Sequence, residues 1–148
     1  MPILPNGLIA LSKALKTYLD TESDGSTAFI DRVGGRFYDS AMPGDTDLPS
    51  PYATYTLDKD EPIRIMGGRQ EPETIPFTVT LWSREPSKQE VLELGALLHY
   101  RLDRSKPDMS DGSYVCHLVY EVQCPEVRRV NPFWRLTTRY VAFCYPDE

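Results

Sequence analysis

Two histidines, His99 and His117, are the side chains in this sequence that are best suited to acid–base chemistry. A neutral imidazole next to a carboxylate can act as a general acid or base near neutral pH. His99 falls in the helix-like run LLHYR and His117 in a strand-like run, and neither has a second histidine or a cysteine at the spacing of a metal site. A small enzyme that uses His99 or His117 with a nearby carboxylate is therefore one hypothesis, whereas no metal site is predicted.

Acidic residues gather in two segments, GDTD at residues 44–47 and DKDE at residues 58–61. Paired carboxylates serve as acid and base when an apolar pocket separates their pKa values. Both segments are hydrophilic turn sequences, so we interpret them as solvated loop charge. The tripeptide GGR occurs at 34–36 and at 67–69, but neither copy joins a strand to a helix as a phosphate-binding loop does. The favoured prediction is therefore no catalytic residue and no cofactor site.

The three cysteines, Cys116, Cys124 and Cys144, are odd in number and form no CxxC motif. Each lies in a strand-like run beside aromatic or aliphatic residues, a pattern typical of buried thiols in a reducing compartment. Trp134 stands between an aromatic and a basic neighbour, a group that could stack on nucleic-acid bases. A core aromatic on a long strand is the simpler interpretation of Trp134.

The composition is that of a globular chain with an acidic balance: 41% of the residues are hydrophobic, 26% are charged and the net charge is −6. A net negative charge argues against general binding to nucleic-acid phosphates, although it is compatible with local basic patches. The N-terminal run MPILPNGLIALSKALKTYLD lacks a basic leader and a continuous apolar stretch. We therefore expect neither a signal peptide nor a membrane span.

Two amphipathic helices are predicted from apolar residues that recur at three- and four-residue steps. The buried stripe of the first helix is Leu4, Leu8, Leu11, Leu15 and Leu19, and that of the second is Val91, Leu94, Leu98 and Leu102. Ser87 and Glu90 have the spacing of a capping box, in which each side chain pairs with a backbone N–H of the first turn. The second helix is therefore predicted to begin near Ser87.

Five strands are predicted, three of them short or half-buried and two long. The first three lie at about residues 36–39, at 52–57 and in PFTVTLW, where Phe77, Val79 and Leu81 share one face. The long strands each present one apolar face, made of Tyr114, Cys116, Leu118, Tyr120, Val122 and Cys124 in one and of Trp134, Leu136, Tyr140, Ala142 and Cys144 in the other. The proline-bounded segment PEVRRVNP is predicted to connect them as an antiparallel pair.

The order of these elements predicts one α+β domain over residues 1–148, with two helices packed on one face of a mostly antiparallel sheet. The segment from about residue 59 to 74 is predicted to leave the sheet as a protruding hairpin arm. A two-residue turn at Gly67-Gly68 places Met66 opposite Arg69.

Continuing that register inward conflicts with the hydrophobic pattern at the base of the arm. Leu57 and Val79 both belong to the core, yet the register puts them on opposite faces of the sheet. An odd number of extra residues must therefore be absorbed between tip and base, most simply as a bulge near Lys59 to Glu61 or at Pro72 and Pro76.

The order of the elements also resembles a known family. An amphipathic helix comes first, followed by GRFYDS, the strand PYATYTL, the strand FTVTLWS, the helix KQEVLELGALLHYRL and two closing strands. This order is similar to that of the tail-completion or tail-terminator proteins of long-tailed bacteriophages, which include a small phage domain formerly of unknown function. The resemblance covers nearly the whole chain, and LPSPYATY followed by the VTLWS strand and the HYRLD helix end is its most telling part.

The resemblance implies a structural assembly protein rather than an enzyme. Such proteins form a ring, usually hexameric, that ends tail-tube growth and joins the tail to the head connector. The implied partners are other copies of the chain, the major tail tube protein and a head-tail connector or stopper protein. No membrane and no specific nucleic acid are implied, although DNA would pass through the ring. The implied location is the virion tail, after synthesis in the cytoplasm of the bacterial host.

An alternative is another phage neck or tail-associated binding protein with a similar small fold. In either case the predicted arm is the segment that we expect to contact a neighbouring subunit or the tail tube, because an isolated hairpin buries too little apolar surface to be rigid. The residues assigned to this contact are Ile63, Arg64, Ile65, Met66 and Arg69.

Overall fold

The computed structural model describes residues 7–22, 28–39, 50–57, 61–62, 73–110 and 114–146. In chain order, the elements in these residues are α1 (Gly7–Asp20), α2 (Phe29–Arg32), β1 (Phe37–Asp39), β2 (Tyr52–Leu57), β3 (Glu61–Pro62), β4 (Glu73–Ser83), α3 (Gln89–Leu102), β5 (Tyr114–Val130) and β6 (Phe133–Pro146). None of these helices is long and apolar enough to cross a membrane.

The strands form one mixed sheet in the order β1-β2-β4-β6-β5, and β3 pairs with one end of β4. β1 runs parallel to β2, and every other pair is antiparallel. The central strands β4 and β6 pair without a register shift, from Glu73 opposite Cys144 to Ser83 opposite Trp134. The predicted α+β class is confirmed, and the parallel β1–β2 pair makes the sheet mixed.

The helices pack on one face of the sheet, which we call the helix face. In α1, Ser12 Oγ lies 3.1 Å from the hydroxyl of Tyr55 in β2. In α3, a Cβ atom added at Gly95 would lie 2.9 Å from Leu136 Cδ1 of β6, so glycine permits this close approach. The short helix α2, which was not predicted, brings Phe29 against Phe37 of β1, with ring centroids 6.2 Å apart. The prediction that the two longer helices share one face is confirmed.

The core lies between the helices and the sheet. Its fully buried large side chains come from both layers and include Leu11, Leu15, Leu19, Phe29, Phe37, Ile75, Phe77, Leu81, Leu94, Leu98, Leu102 and Tyr140. Phe77 and Tyr140 stack across the β4–β6 pair with centroids 5.5 Å apart. Leu11, Leu15 and Leu19 of the α1 stripe and the apolar face of β4 are therefore buried as predicted. Leu4 and the side chain of Leu8 lie outside the described part of the chain.

Ser87 and Glu90 do not form the predicted capping box. Helix α3 begins at Gln89 with Lys88 at its N-cap, and no side-chain cap closes its first turn. The hydroxyl of Ser87 accepts a hydrogen bond from the Gln89 N–H at 3.1 Å, while Glu90 accepts one from Ser83 Oγ at 2.5 Å. Because Ser83 is buried at the end of β4, Glu90 ties the helix to the sheet instead of closing its own first turn.

The two closing strands are longer than predicted. Strands β5 and β6 continue through most of PEVRRVNP and meet at a short turn, Asn131-Pro132. They pair antiparallel, as expected, and the predicted face of β6 is confirmed for Leu136, Tyr140 and Ala142, which are buried.

The prediction that β5 keeps a single apolar face is wrong. The pairing of β5 with β6 shifts register between Cys116 and Leu118, and shifts again further along the strand. After the first shift Val119 is buried, while Tyr120 and Val122 are 37% and 55% exposed. A shift of one residue reverses which side chains face the core, so the alternation in the sequence could not be followed along the whole strand.

The base of the predicted arm is paired, and its register accounts for the extra residue. Leu57 lies opposite Phe77, while Glu61 lies opposite Thr74. The chain takes four residue steps on the β2–β3 side against three on the β4 side, so one additional residue lies between Leu57 and Glu61. This position agrees with the predicted bulge near Lys59 to Glu61.

The alternative position for the extra residue, at the prolines of the returning strand, is not needed. Pro76 lies within the continuous β4–β6 register, opposite Val141. Pro62 lies opposite Glu73, which is also the pair given by a two-residue turn at Gly67-Gly68.

Candidate functional site

The residues predicted to contact a neighbouring subunit or the tail tube lie outside the described part of the chain. They are Ile63, Arg64, Ile65, Met66 and Arg69. The structure therefore describes the paired base of this segment, β3 and the start of β4, and the assignment of these five residues stays a prediction.

His99 has the carboxylate neighbour that acid–base chemistry needs. Its Nδ1 lies 2.7 Å from Glu121 Oε2, and its Nε2 lies 3.9 Å from Asp103 Oδ2. Glu121 also accepts a hydrogen bond from Thr138 Oγ1 at 2.9 Å, and its backbone N–H donates to Asp103 Oδ1 at 2.9 Å. These contacts join the last turn of α3 to strands β5 and β6.

The tyrosine next to the His99 cluster is not a second candidate for proton transfer. Tyr140 is fully buried beside this cluster, and burial, together with the Glu121 charge, raises the pKa of its phenol. A neutral, fully enclosed phenol cannot exchange protons with a substrate near neutral pH. The other histidine, His117, is exposed on β5. Among the described residues, no group of three or more His, Cys, Asp or Glu side chains is arranged to hold a metal ion.

A shallow groove of about 430 Å³ lies between α1 and β2 and opens widely to solvent. Its lining is Ser12, Lys13, Lys16, Thr17, Asp20 and Tyr55. Burial raises the pKa of the Tyr55 phenol, and the hydrogen bond with Ser12 offsets only part of this rise. Because the groove does not exclude water, it lacks the enclosed setting in which a small-molecule site gains specificity.

The face of the sheet opposite the helices, which we call the second face, carries four arginines along the β5–β6 hairpin and the adjoining end of β4. We name them the arginine patch: Arg84, Arg128, Arg135 and Arg139. Arg135 lies opposite both Trp82 of β4 and Arg128 of β5. Arg139 lies opposite Thr78, two steps further along the same face, with Thr137 between it and Arg135. This end of the sheet therefore presents basic side chains on a chain whose net charge is negative.

Aromatic rings support the arginine patch. Tyr52 and Trp82 stack with centroids 6.0 Å apart, and Phe133 meets both rings edge-on at 6.0 and 5.7 Å. The guanidinium carbon of Arg84 lies 5.0 Å from the Phe133 centroid, and that of Arg135 lies 5.9 Å from the Trp82 centroid. These distances are typical of cation–π contacts, which hold a guanidinium against a ring face.

On the helix face, next to the β5–β6 turn, a further arginine also lies over an aromatic ring. The guanidinium carbon of Arg129 lies 5.3 Å from the Trp134 ring centroid, and Trp134 Nε1 donates a hydrogen bond to the Pro86 carbonyl at 3.0 Å. Trp134 is thus a packed side chain of the sheet, in agreement with the simpler of its two interpretations.

Sequence reasoning did not identify the arginine patch. Arg128 was placed in a connecting segment, so its pairing with Arg135 could not be recognised. The signal that could have found it is the spacing of Phe133, Arg135 and Arg139, which fall on one face of a strand whose other face is apolar.

No protein-family model and no curated protein sequence matches this chain. Among solved structures, the fold is similar to that of a chain in the "Virion of native gene transfer agent (GTA) particle", with a TM-score of 0.66 and 14% sequence identity. The alignment covers 92% of this chain and 98% of that chain. At this level of identity the likeness shows a common fold, and the fold is shared over almost the whole of both chains.

Proposed function

We propose that this chain is a structural assembly protein of a phage-like virion. The observation that carries the proposal is the end-to-end likeness to a chain of a gene transfer agent virion, of which 98% is covered. A match of this extent means that the whole architecture is shared, and not only a common helix–strand unit. Fold alone does not determine function, so the proposal needs a direct assembly test.

Within that class, we propose a tail terminator. Copies of the chain form a hexameric ring that ends growth of the tail tube and joins the tail to the head connector or stopper protein. The resemblance of the element order, from GRFYDS to the HYRLD helix end, supports this finer assignment. The partners are further copies of the chain, the major tail tube protein and the connector, and DNA passes through the ring without sequence recognition. The protein is made in the bacterial cytoplasm and resides in the virion tail.

The predicted arm forms part of the contact surface in this proposal. Its base is anchored because β3 pairs with β4, and the register at Pro62 opposite Glu73 is compatible with a hairpin that turns at Gly67-Gly68. Replacing residues 62–72 with a short Gly/Ser linker should leave the fold stable but weaken ring formation or tube binding. Unchanged assembly by this variant would remove the arm from the proposal and leave the ring intact.

The decisive experiment combines light scattering during size-exclusion chromatography with negative-stain electron microscopy. The purified protein is expected to form a closed ring, alone or on the ends of tail tubes assembled from the major tail tube protein. A protein that stays monomeric at high concentration and leaves tube ends bare would contradict the terminator assignment.

The same micrographs separate the two alternatives. Another neck or tail protein of this fold would bind connector or neck particles and leave tube ends bare. The contact between His99 and Glu121 is the observation that an enzyme would require, so His99→Ala provides the matching control. The proposal expects this variant to assemble like the natural protein.

A further inference from the structure

Positive charge is concentrated at the end of the β5–β6 hairpin. Residues 123–139 contain four arginines and one glutamate, a net charge of +3. The whole chain has 16 basic and 22 acidic residues, so the remainder holds 12 basic and 21 acidic residues and a net charge of −9. The hairpin end is therefore basic, whereas the remaining residues, which we call the acidic body, carry a net negative charge.

The arrangement of the arginines adds to this asymmetry. Arg128 and Arg135 lie directly opposite each other in the β5–β6 pair, and like charges in this position destabilise a sheet. Glu126 forms an ion pair with Arg128. Across the described residues, no carboxylate forms an ion pair with Arg135 or Arg139. The hairpin end thus keeps a basic surface that its own chain only partly neutralises.

The ring contacts prepare two of these arginines for binding. Arg135 rests on Trp82 and Arg129 rests on Trp134. A guanidinium held by a ring face keeps its N–H groups at the edge, where they can pair with both oxygens of a carboxylate. Prior fixation also lowers the entropy that an arginine loses when it binds.

We propose that the basic hairpin end of one copy docks on the acidic body of the next copy in a head-to-tail contact. This inference rests on the proposed ring, because a cyclic ring of more than two subunits uses two different surfaces of each subunit. Two basic hairpin ends repel each other, so a symmetric contact between them is disfavoured.

Side chains, and not strand addition, make this contact. The outer edge of β5 is interrupted by Pro125 and by register shifts on both sides of Gln123. Proline and bulges are the devices that prevent an edge strand from pairing with another sheet. Near its start the same edge is already covered, because Arg104 N–H donates to the Val119 carbonyl at 2.6 Å.

A nucleic acid fits the hairpin end less well than a second copy does. The net charge of −9 on the remaining residues opposes the approach of phosphates within the screening length. Phe133, the aromatic residue at the centre of the patch, is only 7% exposed and cannot stack on a base. A second copy supplies carboxylates for Arg135 and Arg139, which form no ion pair among the described residues.

The test compares two double charge reversals that change the net charge by the same amount. Arg128→Glu with Arg135→Glu changes the hairpin end, and Lys13→Glu with Lys16→Glu changes exposed lysines of α1; each pair takes the net charge from −6 to −10. We expect the hairpin variant to weaken self-association by at least about tenfold in low-salt buffer, and the α1 variant to weaken it much less. Circular dichroism and the urea midpoint verify that both variants fold.

A mixing experiment separates loss of the hairpin contact from loss of the fold. The hairpin variant keeps its acidic body, so immobilised variant should capture the natural protein but should not capture more of itself. In the converse control, the immobilised α1 variant should capture the natural protein and also further copies of itself.

Three results would overturn the inference. If the hairpin variant assembles as well as the natural protein, the ring stands and this contact is wrong. If the variant loses binding to a DNA duplex but not self-association, the hairpin end serves nucleic acid. If the natural protein neither self-associates nor binds tube ends, the proposed function fails and this inference fails with it.

Discussion

The two faces of the sheet differ sharply although they share the same strands. In β4, Phe77, Val79 and Leu81 point to the helix face and have no exposed surface. Their neighbours Thr78 and Thr80 point to the second face and are only partly buried. A single residue step along one strand therefore separates the sealed core from a surface of threonine and arginine side chains.

Because of this difference, the helix face stabilises the fold and the second face is available for recognition. The helix face buries large aliphatic and aromatic groups, each of which contributes about 1.5–3 kcal/mol when removed from water. Around Thr78 and Thr80 the second face uses threonine, whose branched side chain fits a pleated sheet without deep burial, and aromatic rings pack at its end near Phe133. Polar substitutions are therefore expected to affect folding on the helix face and binding on the second face.

The largest expected effect comes from a pair of neighbours in β4. Phe77→Ala leaves a cavity beneath Tyr140 and should lower the free energy of unfolding by about 3–5 kcal/mol. Thr78→Ala, on the second face, should lower it by no more than about 1 kcal/mol. Urea unfolding midpoints measure both. Equal losses would mean that the second face is as well packed as the helix face.

A second pair tests polar groups in β6. Thr138 is 2% exposed and donates to Glu121, so Thr138→Val removes a charge-assisted hydrogen bond inside the protein. We expect a loss of about 2 kcal/mol, because such bonds contribute more than neutral ones. Thr137→Val, one residue away on the second face, should change the free energy of unfolding by about 0.5 kcal/mol or less. A costly Thr137→Val would indicate an unrecognised partner on that face.

Sequence reasoning predicted the helix face well because a buried face has one requirement, apolar side chains at the period of the element. The stripe of α3 and the alternation of Phe77, Val79 and Leu81 meet that requirement without ambiguity. The same requirement predicts an odd number of extra residues in the arm, since two core residues must share a face. The strand register places one of them between Leu57 and Glu61.

The arginine patch and the course of β5 could not be predicted in this way. A register shift such as that between Cys116 and Leu118 depends on which backbone groups of the partner strand are available, and local sequence does not encode it. The pairing of Arg128 with Arg135 depends in turn on the hairpin register. The contact of His99 with Glu121 joins two elements distant in sequence, so spacing alone gave no signal for it.

A titration tests how completely the helix face is sealed. Burial raises the pKa of the Cys116 thiol from 9.0 to about 11. The unfolded chain therefore ionises first, so the stability due to this thiol is complete below pH 9 and is lost as the pH rises towards 11. Between pH 8 and 10 the natural protein should lose about 1 kcal/mol more than Cys116→Val, which has no thiol to ionise. Equal losses would mean that water reaches Cys116.

The smallest expected effect concerns the two tryptophans, one on each face. Trp134 Nε1 donates to the Pro86 carbonyl at 3.0 Å, whereas the buried Trp82 Nε1 has no hydrogen-bond partner among the described residues. Phenylalanine removes the N–H group in both cases and keeps an aromatic ring. Trp134→Phe should therefore cost about 1 kcal/mol, the net value of one hydrogen bond. In Trp82→Phe, relief of a buried unpaired donor offsets the lost ring area, so the change should stay within about 0.5 kcal/mol. Thermal and urea unfolding of both variants give the comparison. A larger cost for Trp82→Phe would show that ring packing in the second-face cluster, and not pairing of the indole N–H, decides how firmly the rings beneath the arginine patch are held.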